Sequence, residues 1–197
     1  MITVITPTYK RPKGIIERAV GSLRAQTYTK WNQIICSDGV AENAPREIAE
    51  AEENRHRVVY TNSSKSYNDY GPGVRAEILE RVNTEYVCFL DDDNILMPTY
   101  LEKMIKAIED NKVDLAICHC LHYGPLPASF GIAPKIVTGI PPRLYNIDTV
   151  QIVCKTEAIR DIGWQTESGY YADGVTYEML ADKYKHVEVP EVLALHL

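Results

Sequence analysis

The chain has 197 residues, of which 45% are apolar and 24% are charged, and its formal net charge at pH 7 is -6. This length suffices for one full hydrophobic core but is short for two domains of ordinary size, so we expect a single domain over residues 1–197. The negative charge argues against nucleic acid or an anionic membrane surface as the main partner, because the chain carries no excess of cations to neutralise phosphates.

The amino-terminal residues begin in a strand pattern without a basic leader, so we expect no signal peptide. We also expect no transmembrane segment, because none of the apolar runs approaches the roughly 20 residues of a membrane-spanning helix. The five cysteines lie inside apolar runs, which favours reduced core thiols in a cytoplasmic protein over a disulfide framework. Residues 118–120 (CHC) lack a second ligand pair, and adjacent strand residues point to opposite faces, so we interpret the two cysteines as core residues rather than metal ligands.

Short runs of β-branched and apolar residues predict buried strands at residues 2–6, 33–36, 57–60 and 86–90. Apolar residues at helical spacing predict helices around residues 15–23 and 101–108. This alternation predicts an α/β fold, a single open and mostly parallel sheet wound on both faces by helices. Residues 124–145 are rich in proline and glycine, which indicates a functional or mobile loop. Strand character returns from residue 186 to the end.

Open α/β sheets bind ligands at the carboxyl ends of their strands, so the polar residues that follow the predicted strands are the first candidates for a site. These are residues 6–11 (TPTYKR), 37–39 (SDG) and 91–94 (DDDN). Neither the glycine-rich turn of a dinucleotide-binding fold nor a P-loop follows the first strand.

Three consecutive aspartates after an apolar strand need compensation for their charge, because buried unpaired carboxylates are costly. Mg²⁺ and Mn²⁺ favour oxygen ligands, so we predict one of these cations at the cluster. The alternative is a solvated turn in which Asp93 or Asn94 caps the next helix.

Residues 90–94 (LDDDN), followed by Met97 and Pro98, resemble the DxD segment of family 2 glycosyltransferases with the GT-A fold. Within that family they are especially similar to the spore-coat polysaccharide transferase branch. Residues 6–9 (TPTY) resemble the family's opening strand and nucleotide-binding loop, and residues 26–31 resemble the end of its first helix. The resemblance covers essentially the whole chain. It implies a nucleotide-binding half at residues 1–94 and an acceptor and catalytic-base half at residues 95–197.

The resemblance also implies roles for individual residues. The ring of Tyr9 is suited to stack on uracil, Asp38 can accept a hydrogen bond from a base N–H, and the guanidinium groups of arginines suit phosphate. The residues implied to bind the nucleotide are Thr6, Pro7, Thr8, Tyr9, Arg11, Asp38, Arg75, Asp91 and Asp92. Asp93 is the leading metal ligand, and Asp91 and His196 would complete the metal site.

The family's catalytic base is an aspartate at the start of a downstream helix, in a pair usually written ED. Asp173 matches that place, while Ala172 stands where the glutamate is expected. The alternatives are a plain helix cap at this position, or a base at Asp148 or Glu167. A general base is needed because the attacking hydroxyl must lose its proton.

The function implied is metal-dependent transfer of a sugar from a nucleotide-diphosphate donor, with a UDP-sugar as first choice, to an unknown acceptor hydroxyl, inverting by direct displacement. One alternative is a nucleotidyltransferase, which should carry a glycine-rich loop directly after the first strand, whereas here the first glycine is Gly14. Another alternative is a sugar-nucleotide-binding protein without transferase activity.

Overall fold

The computed structural model describes residues 1–123 and 133–197. Within these ranges the strands are β1 (Ile2–Thr8), β2 (Trp31–Ser37), β3 (Val58–Asn62), β4 (Tyr86–Phe89), β5 (Ile95–Leu96), β6 (Leu115–His122), β7 (Lys135–Val137), β8 (Ile152–Lys155) and β9 (His186–His196). The helices are α1 (Lys13–Arg24), α2 (Asn43–Glu50), α3 (Pro72–Leu79), α4 (Tyr100–Asn111), α5 (Thr156–Ile162) and α6 (Ala172–Lys183), with short 3-10 turns at Thr149–Gln151 and Thr166–Tyr171.

The strands of the described residues form one sheet in the order β3-β2-β1-β4-β8-β6-β9-β5, with β7 paired to β6. The first four strands in this order are parallel to one another. Strand β8 is antiparallel to both β4 and β6, and β6 is parallel to β9. The predicted α/β fold with a mostly parallel sheet is therefore confirmed, and the insertion of β8 is a feature that the sequence did not predict.

Helices cover both faces of the sheet, as a doubly wound fold requires. Alternate residues of β4 show this directly, because Tyr86 and Cys88 pack in one core cluster while Val87 and Phe89 pack in the other. Helices α1, α2 and α4 contribute to the first cluster, and α3, α5 and α6 contribute to the second. Because helices cover both faces of the sheet, the ends of the strands are where side chains can contact a ligand.

The five cysteines are buried and carry free thiols, which confirms the prediction of reduced core residues. Cys118 and Cys120 pack in the first core cluster, whereas His119 lies on the other side of β6 and contacts Glu188 at 2.8 Å. Of the predicted loop at residues 124–145, residues 124–132 lie outside the described residues, and the remainder includes β7.

Candidate active site

The carboxyl ends of β1, β2 and β4 meet at one edge of the sheet because these strands are parallel. The main-chain N–H of Asp38 donates to the carbonyl of Thr8 at 3.0 Å, which joins the ends of β1 and β2. The residues that follow these strands line a cavity that we call the strand-end cleft. The predicted site residues that line it are Pro7, Thr8, Tyr9, Arg11, Asp38, Arg75, Asp91, Asp92, Asp93 and His196.

Thr6 was predicted to join this group, but its side chain lies beneath the cleft. It is fully buried, and its hydroxyl accepts a hydrogen bond from Nε2 of Gln33 at 2.9 Å. Thr6 and Thr8 share one face of β1, since side chains alternate along a strand. Of these two threonines, only Thr8 lies far enough along β1 to line the strand-end cleft.

Asp38 forms part of the cleft wall and holds the segment after β3 in place. Its carboxylate accepts the main-chain N–H groups of Tyr67 at 2.7 Å and Asn68 at 2.8 Å. Two of the roughly four acceptor positions of a carboxylate are thereby used. The segment between β3 and α3 therefore depends on Asp38 for its position.

Two arginines compensate much of the charge of the aspartate cluster. Arg11 pairs with Asp92 at 2.9 Å and with Asp93 at 2.7 Å, and the hydroxyl of Thr8 donates to Asp92 at 2.6 Å. The buried guanidinium of Arg75 pairs with Asp91. The sequence predicted a divalent cation at these carboxylates, and the structure adds that side chains of α3 and of the β1–α1 loop also bring positive charge to them from distant positions in the sequence.

The pKa values of two carboxyl groups in the cluster are raised, mainly because these groups are buried. Burial raises the pKa of Asp92 to about 6, although the Thr8 hydroxyl and the Arg11 guanidinium act in the opposite direction. Burial also raises the pKa of Asp93, and repulsion from Asp91 adds to the effect. Three carboxylates face two guanidinium groups here, so the donor set fits a hard divalent cation that binds oxygen ligands.

His196 belongs to a second polar cluster at the boundary of the strand-end cleft. Its Nδ1 lies 2.9 Å from Oδ2 of Asp148, and Nε2 of His122 lies 3.7 Å from the same oxygen. The two imidazole rings stack with centroids 3.9 Å apart and planes 14° apart. Burial acts to lower the pKa of His196, but the hydrogen bond and charge of Asp148 outweigh it and raise the pKa to about 9.

The ligand atoms of His122, Asp148 and His196 all lie within 4.8 Å of one another, so this triad is itself a candidate metal centre. In this arrangement the stacked rings lie beside one carboxylate, with His196 at hydrogen-bond distance from Asp148 and His122 farther from it. His196 was predicted to ligate a metal with Asp91 and Asp93. The structure places it in the same cleft as both aspartates, with its Nδ1 against Asp148.

A second cavity, which we call the helix-start cleft, opens beside the first at the amino terminus of α6. Asp173 lines it, where the hydroxyl of Thr149 donates to Oδ2 at 3.1 Å and the N–H of Gly174 donates to Oδ1 at 2.7 Å. The two clefts are adjacent, because they share the lining residues Tyr70, Arg75, Asp91, Tyr170 and His196.

Asp173 has the electrostatic setting of a general base. Burial and the negative charge of Asp148 raise its pKa to about 6, and the Gly174 amide, Arg75 and Thr149 partly oppose this. A carboxylate with a raised pKa is a better proton acceptor while remaining ionised at neutral pH. Of the two alternatives, Glu167 is exposed and lines neither cleft, and Asp148 is held by His196. Ala172 is fully buried in the core.

The comparisons with known proteins bear on what these two clefts do. A sequence model of the family described as glycosyl transferase family 2 matches residues 3–162. The chain belongs to this family.

Curated relatives share part of the chain. The UDP-Glc:alpha-D-GlcNAc-diphosphoundecaprenol beta-1,3-glucosyltransferase WfgD of Escherichia coli is 24% identical over 113 residues, which is 57% of this chain and 43% of WfgD. The succinoglycan biosynthesis protein ExoW of Rhizobium meliloti is 31% identical over 108 residues, 51% of this chain and 31% of ExoW. The chain therefore spans less than half the length of each of these two relatives.

Solved structures confirm the GT-A fold. TarS of S. aureus, residues 1–349 in complex with UDP, superposes with a TM-score of 0.78 at 19% identity, covering 98% of this chain and 59% of that one. The mannosyltransferase PcManGT of Pyrobaculum calidifontis, in complex with GDP-Man and Mn²⁺, gives a TM-score of 0.72 at 18% identity, covering 99% and 56%. Among the described residues of this family 2 glycosyltransferase, no helix is both long and apolar enough to cross a membrane.

Sequence reasoning missed His122 and Tyr70 as lining residues. His122 lies opposite His196 in the parallel register of β6 and β9. The sequence shows a histidine at the end of each of the last two long strands. It does not show that these two strands pair with each other. Tyr70 lies in a left-handed backbone position with φ of 66°, where glycine or asparagine is the usual residue.

Proposed function

We propose that this glycosyltransferase domain moves a sugar from a UDP-sugar to an acceptor hydroxyl, with inversion and with a divalent metal. The observation that carries the proposal is that the two clefts lie side by side and share five lining residues. One is built from strand-end residues suited to a nucleotide diphosphate, and the other presents a carboxylate with a raised pKa. Support comes from TarS, solved with UDP and with UDP-GlcNAc, and from WfgD, whose name gives UDP-Glc as its donor.

In the nucleotide-binding half, residues 1–94, the half-exposed ring of Tyr9 supplies a stacking surface for the base. The carboxylate of Asp38 keeps lone pairs for a base N–H after binding the two main-chain amides. Arg11 is the more exposed of the two arginines and can exchange a carboxylate partner for a phosphate. Pro7 and Thr8 form the floor between these side chains and the aspartates.

We assign the metal to Asp93 and Asp91, with His196 as the further ligand and Asp92 held by Thr8 and Arg11. Bound Mn²⁺ or Mg²⁺ would neutralise charge on the diphosphate. PcManGT, which shares the fold, was solved with Mn²⁺. The triad of His122, Asp148 and His196 is the alternative centre, and variants at Asp93 and His122 separate the two assignments.

The reaction takes place in residues 95–197, the acceptor and catalytic-base half. Asp173 removes the proton of the acceptor hydroxyl as the oxygen attacks the anomeric carbon from the side opposite the diphosphate. A carbon–oxygen bond to the acceptor forms, the carbon–oxygen bond to the diphosphate breaks, and UDP leaves with the electron pair. Arg75 lines both clefts. It pairs with Asp91, and its charge acts to lower the pKa of Asp173, so it links the donor and acceptor sides.

The direct test is release of nucleoside diphosphate from UDP-Glc, UDP-GlcNAc and GDP-Man in the presence of Mn²⁺, measured without an acceptor. Slow hydrolysis of at least one UDP-sugar is expected, because water can occupy the position of the acceptor hydroxyl. Binding of UDP with no hydrolysis and no transfer under any condition would instead fit a sugar-nucleotide-binding protein. Absence of binding to all three donors would contradict the proposal.

The cellular setting and the branch of the family are also proposals. Free thiols, such as the five buried ones here, are typical of proteins in a reducing compartment, which supports a cytoplasmic location. The similarity of residues 90–98 to the spore-coat polysaccharide transferase branch remains a prediction. Transfer assays with extracts of the source cell's polysaccharides would test it.

A further inference from the structure

Four tyrosines form the rim of the helix-start cleft, and neither the nucleotide nor the metal assignment uses them as a group. They are Tyr70, Tyr145, Tyr170 and Tyr171, which are 81%, 42%, 58% and 42% exposed. Exposed rings of this number at one cleft are unusual on a surface that carries no function, because large apolar surface in water is unfavourable.

The rings contact one another in a continuous row. Tyr70 and Tyr170 lie edge to face with centroids 5.7 Å apart, Tyr170 and Tyr171 are 5.4 Å apart, and Tyr171 and Tyr145 are 5.3 Å apart. Edge-to-face contacts of this kind fix the rings relative to each other. The row therefore presents a preformed surface, and a ligand does not have to order four separate side chains.

The backbone holds both ends of the row in strained positions. Tyr70 has φ of 66° and Tyr145 has φ of 69°, in the left-handed region that bulky residues rarely adopt. Such strain persists where the surrounding structure over-determines the residue, and it is concentrated at functional sites.

The charges in the helix-start cleft restrict the ligand. Asp91, Asp148 and Asp173 line it, and among the described residues its one arginine or lysine is Arg75, which already pairs with Asp91. Residues 124–132 (GPLPASFGI) contain no charged residue that could alter this balance. The imidazole of His196 also lines the cleft and pairs with Asp148. An anionic group such as a phosphate would meet three carboxylates, and both Arg75 and His196 already pair with one of them, so the charges favour a neutral ligand.

The chemistry of the rim also disfavours an alkyl chain. Among the described residues, the large exposed hydrophobic side chains at this cleft are all tyrosines, each with a hydroxyl that can donate and accept hydrogen bonds and that an alkyl chain could not engage. A pyranose matches this surface, because its C–H face packs on an aromatic ring while its hydroxyls bond to phenols and carboxylates.

We propose that the acceptor is an uncharged saccharide that lies along the row formed by Tyr70, Tyr170, Tyr171 and Tyr145. This inference rests on the proposed function, since it names the acceptor class for the same site. The whole row lines the helix-start cleft, which Asp173 also lines, so a sugar ring bound along the row lies in the same cleft as the base. Tyr70 and Tyr170 also line the strand-end cleft, where they are positioned between the donor and the acceptor.

The test uses saturation-transfer NMR with three neutral disaccharides, cellobiose, chitobiose and maltose, and with glycerol 3-phosphate as the anionic comparison. Each probe is added to the protein with UDP and the diamagnetic cation Mg²⁺. We expect at least one disaccharide to bind and glycerol 3-phosphate to give no signal. The variants are Tyr145→Ala and Tyr171→Ala, because these two residues line the helix-start cleft and not the strand-end cleft. Each is expected to bind the disaccharide about 2- to 10-fold more weakly.

Two further variants separate stacking from a general effect on the fold. Tyr171→Phe keeps the ring and should retain most of the binding. Tyr184→Ala is the matched control, because Tyr184 follows the far end of α6 and its hydroxyl contacts Asp161 at 2.8 Å outside both clefts. Thermal unfolding of every variant shows whether a loss of binding reflects loss of the fold.

The inference is overturned if no disaccharide binds the wild-type protein, if the alanine variants bind as tightly as the wild type, or if glycerol 3-phosphate binds instead. Failure of the proposed function gives a different result. In that case UDP does not bind. Binding of the disaccharide, and its weakening in the tyrosine variants, is measured independently of that result.

Discussion

At the scale of single residues, Asp173 carries the chemistry that we propose. Its carboxylate accepts hydrogen bonds from Thr149 and Gly174, which fix its orientation toward the helix-start cleft. An asparagine at this position keeps the shape and can accept hydrogen bonds, but it cannot take a proton.

The first prediction is that Asp173→Asn lowers kcat for transfer by about 10²- to 10⁴-fold, the usual contribution of a general base. Binding of UDP should be nearly unchanged, because Asp173 does not line the strand-end cleft. Steady-state kinetics and calorimetry measure the two quantities. Glu167→Gln is the control, since Glu167 is exposed and lines neither cleft. Near-normal turnover in Asp173→Asn would remove Asp173 from the mechanism.

The second prediction concerns pH. The pKa of Asp173 is raised from 3.8 to about 6 by burial and by Asp148, so the protonated form is favoured in the folded state. This stabilisation is complete below about pH 4 and is lost as the pH rises through 6. At pH 7 the ionised carboxylate therefore destabilises the fold, whereas catalysis requires that same ionised form.

Two measurements follow from this conflict. The transfer rate of the wild type should rise with pH through about 6, as Asp173 ionises. Asp173→Asn should raise the free energy of unfolding at pH 7 by about 1–3 kcal/mol, and this gain should disappear toward pH 4. Groups that face Asp173 and contribute to the profile are Asp148, Arg75, Tyr170 and Tyr177. A variant that is less stable at pH 7 and equally stable at pH 4 would show that the wild-type pKa is lowered instead.

At the scale of elements, the start of α3 shapes the strand-end cleft. Asp69 accepts the N–H groups of Gly71 at 3.1 Å and Gly73 at 2.8 Å, and Arg75 follows one turn later. A Cβ atom at Gly73 would lie 2.1 Å from Cδ1 of Tyr67. The N–H of Tyr67 in turn bonds to Asp38, so the packing of this helix start reaches the nucleotide side of the cleft.

The third prediction compares two glycines in helices. Gly73→Ala should displace the segment at Tyr67, lower the free energy of unfolding by about 1–3 kcal/mol and weaken UDP binding. Gly14→Ala in α1 is the matched control, because nothing lies within 4 Å of its added methyl group. It should stabilise the protein by about 0.5–1 kcal/mol and leave UDP binding unchanged. Thermal unfolding and calorimetry on both variants decide the matter, and equal effects of the two substitutions would contradict the packing argument.

Local patterns predicted the elements of the first half well. Apolar spacing identified β1, β2, β4, α1 and α4, because short buried strands and amphipathic helices each have a local period. The position of β8 between β4 and β6 depends on pairing between residues far apart in sequence, and no local period encodes it. The same limit hid the stack of His122 on His196, which follows from the β6–β9 register.

The candidate site was predictable to the extent that strand ends converge. The order of TPTY, Asp38 and the aspartates along the chain was sufficient to expect one cleft. It was not sufficient to find the partners inside it, since the pairing of Arg11 with Asp92 joins residues that are 81 positions apart. Thr6 was assigned to the cleft although its side chain is buried. The sequence pattern locates a strand, but it does not show which residue of the strand is the last one with a buried side chain.

At the scale of the whole molecule, the excess of negative charge is the reason why we expect nucleotide binding to require a metal ion. The chain carries a formal net charge of -6, and the two arginines of the cleft are both engaged with carboxylates. An anionic diphosphate approaching this surface meets net repulsion unless a cation joins it. Burial raises the pKa values of Asp92 and Asp93, and repulsion from the neighbouring aspartates adds to this effect.

The most direct test of a metal-dependent nucleotide site is calorimetric titration of UDP into the protein in Mn²⁺ and in EDTA. We predict at least tenfold tighter binding in Mn²⁺, a gain that Asp93→Ala abolishes and that the surface control Glu157→Gln retains. His122→Ala should also keep the gain if Asp93 and Asp91 form the metal centre, and should lose it if the histidine triad does. Equal affinity for UDP in Mn²⁺ and in EDTA would contradict the metal-dependent mechanism.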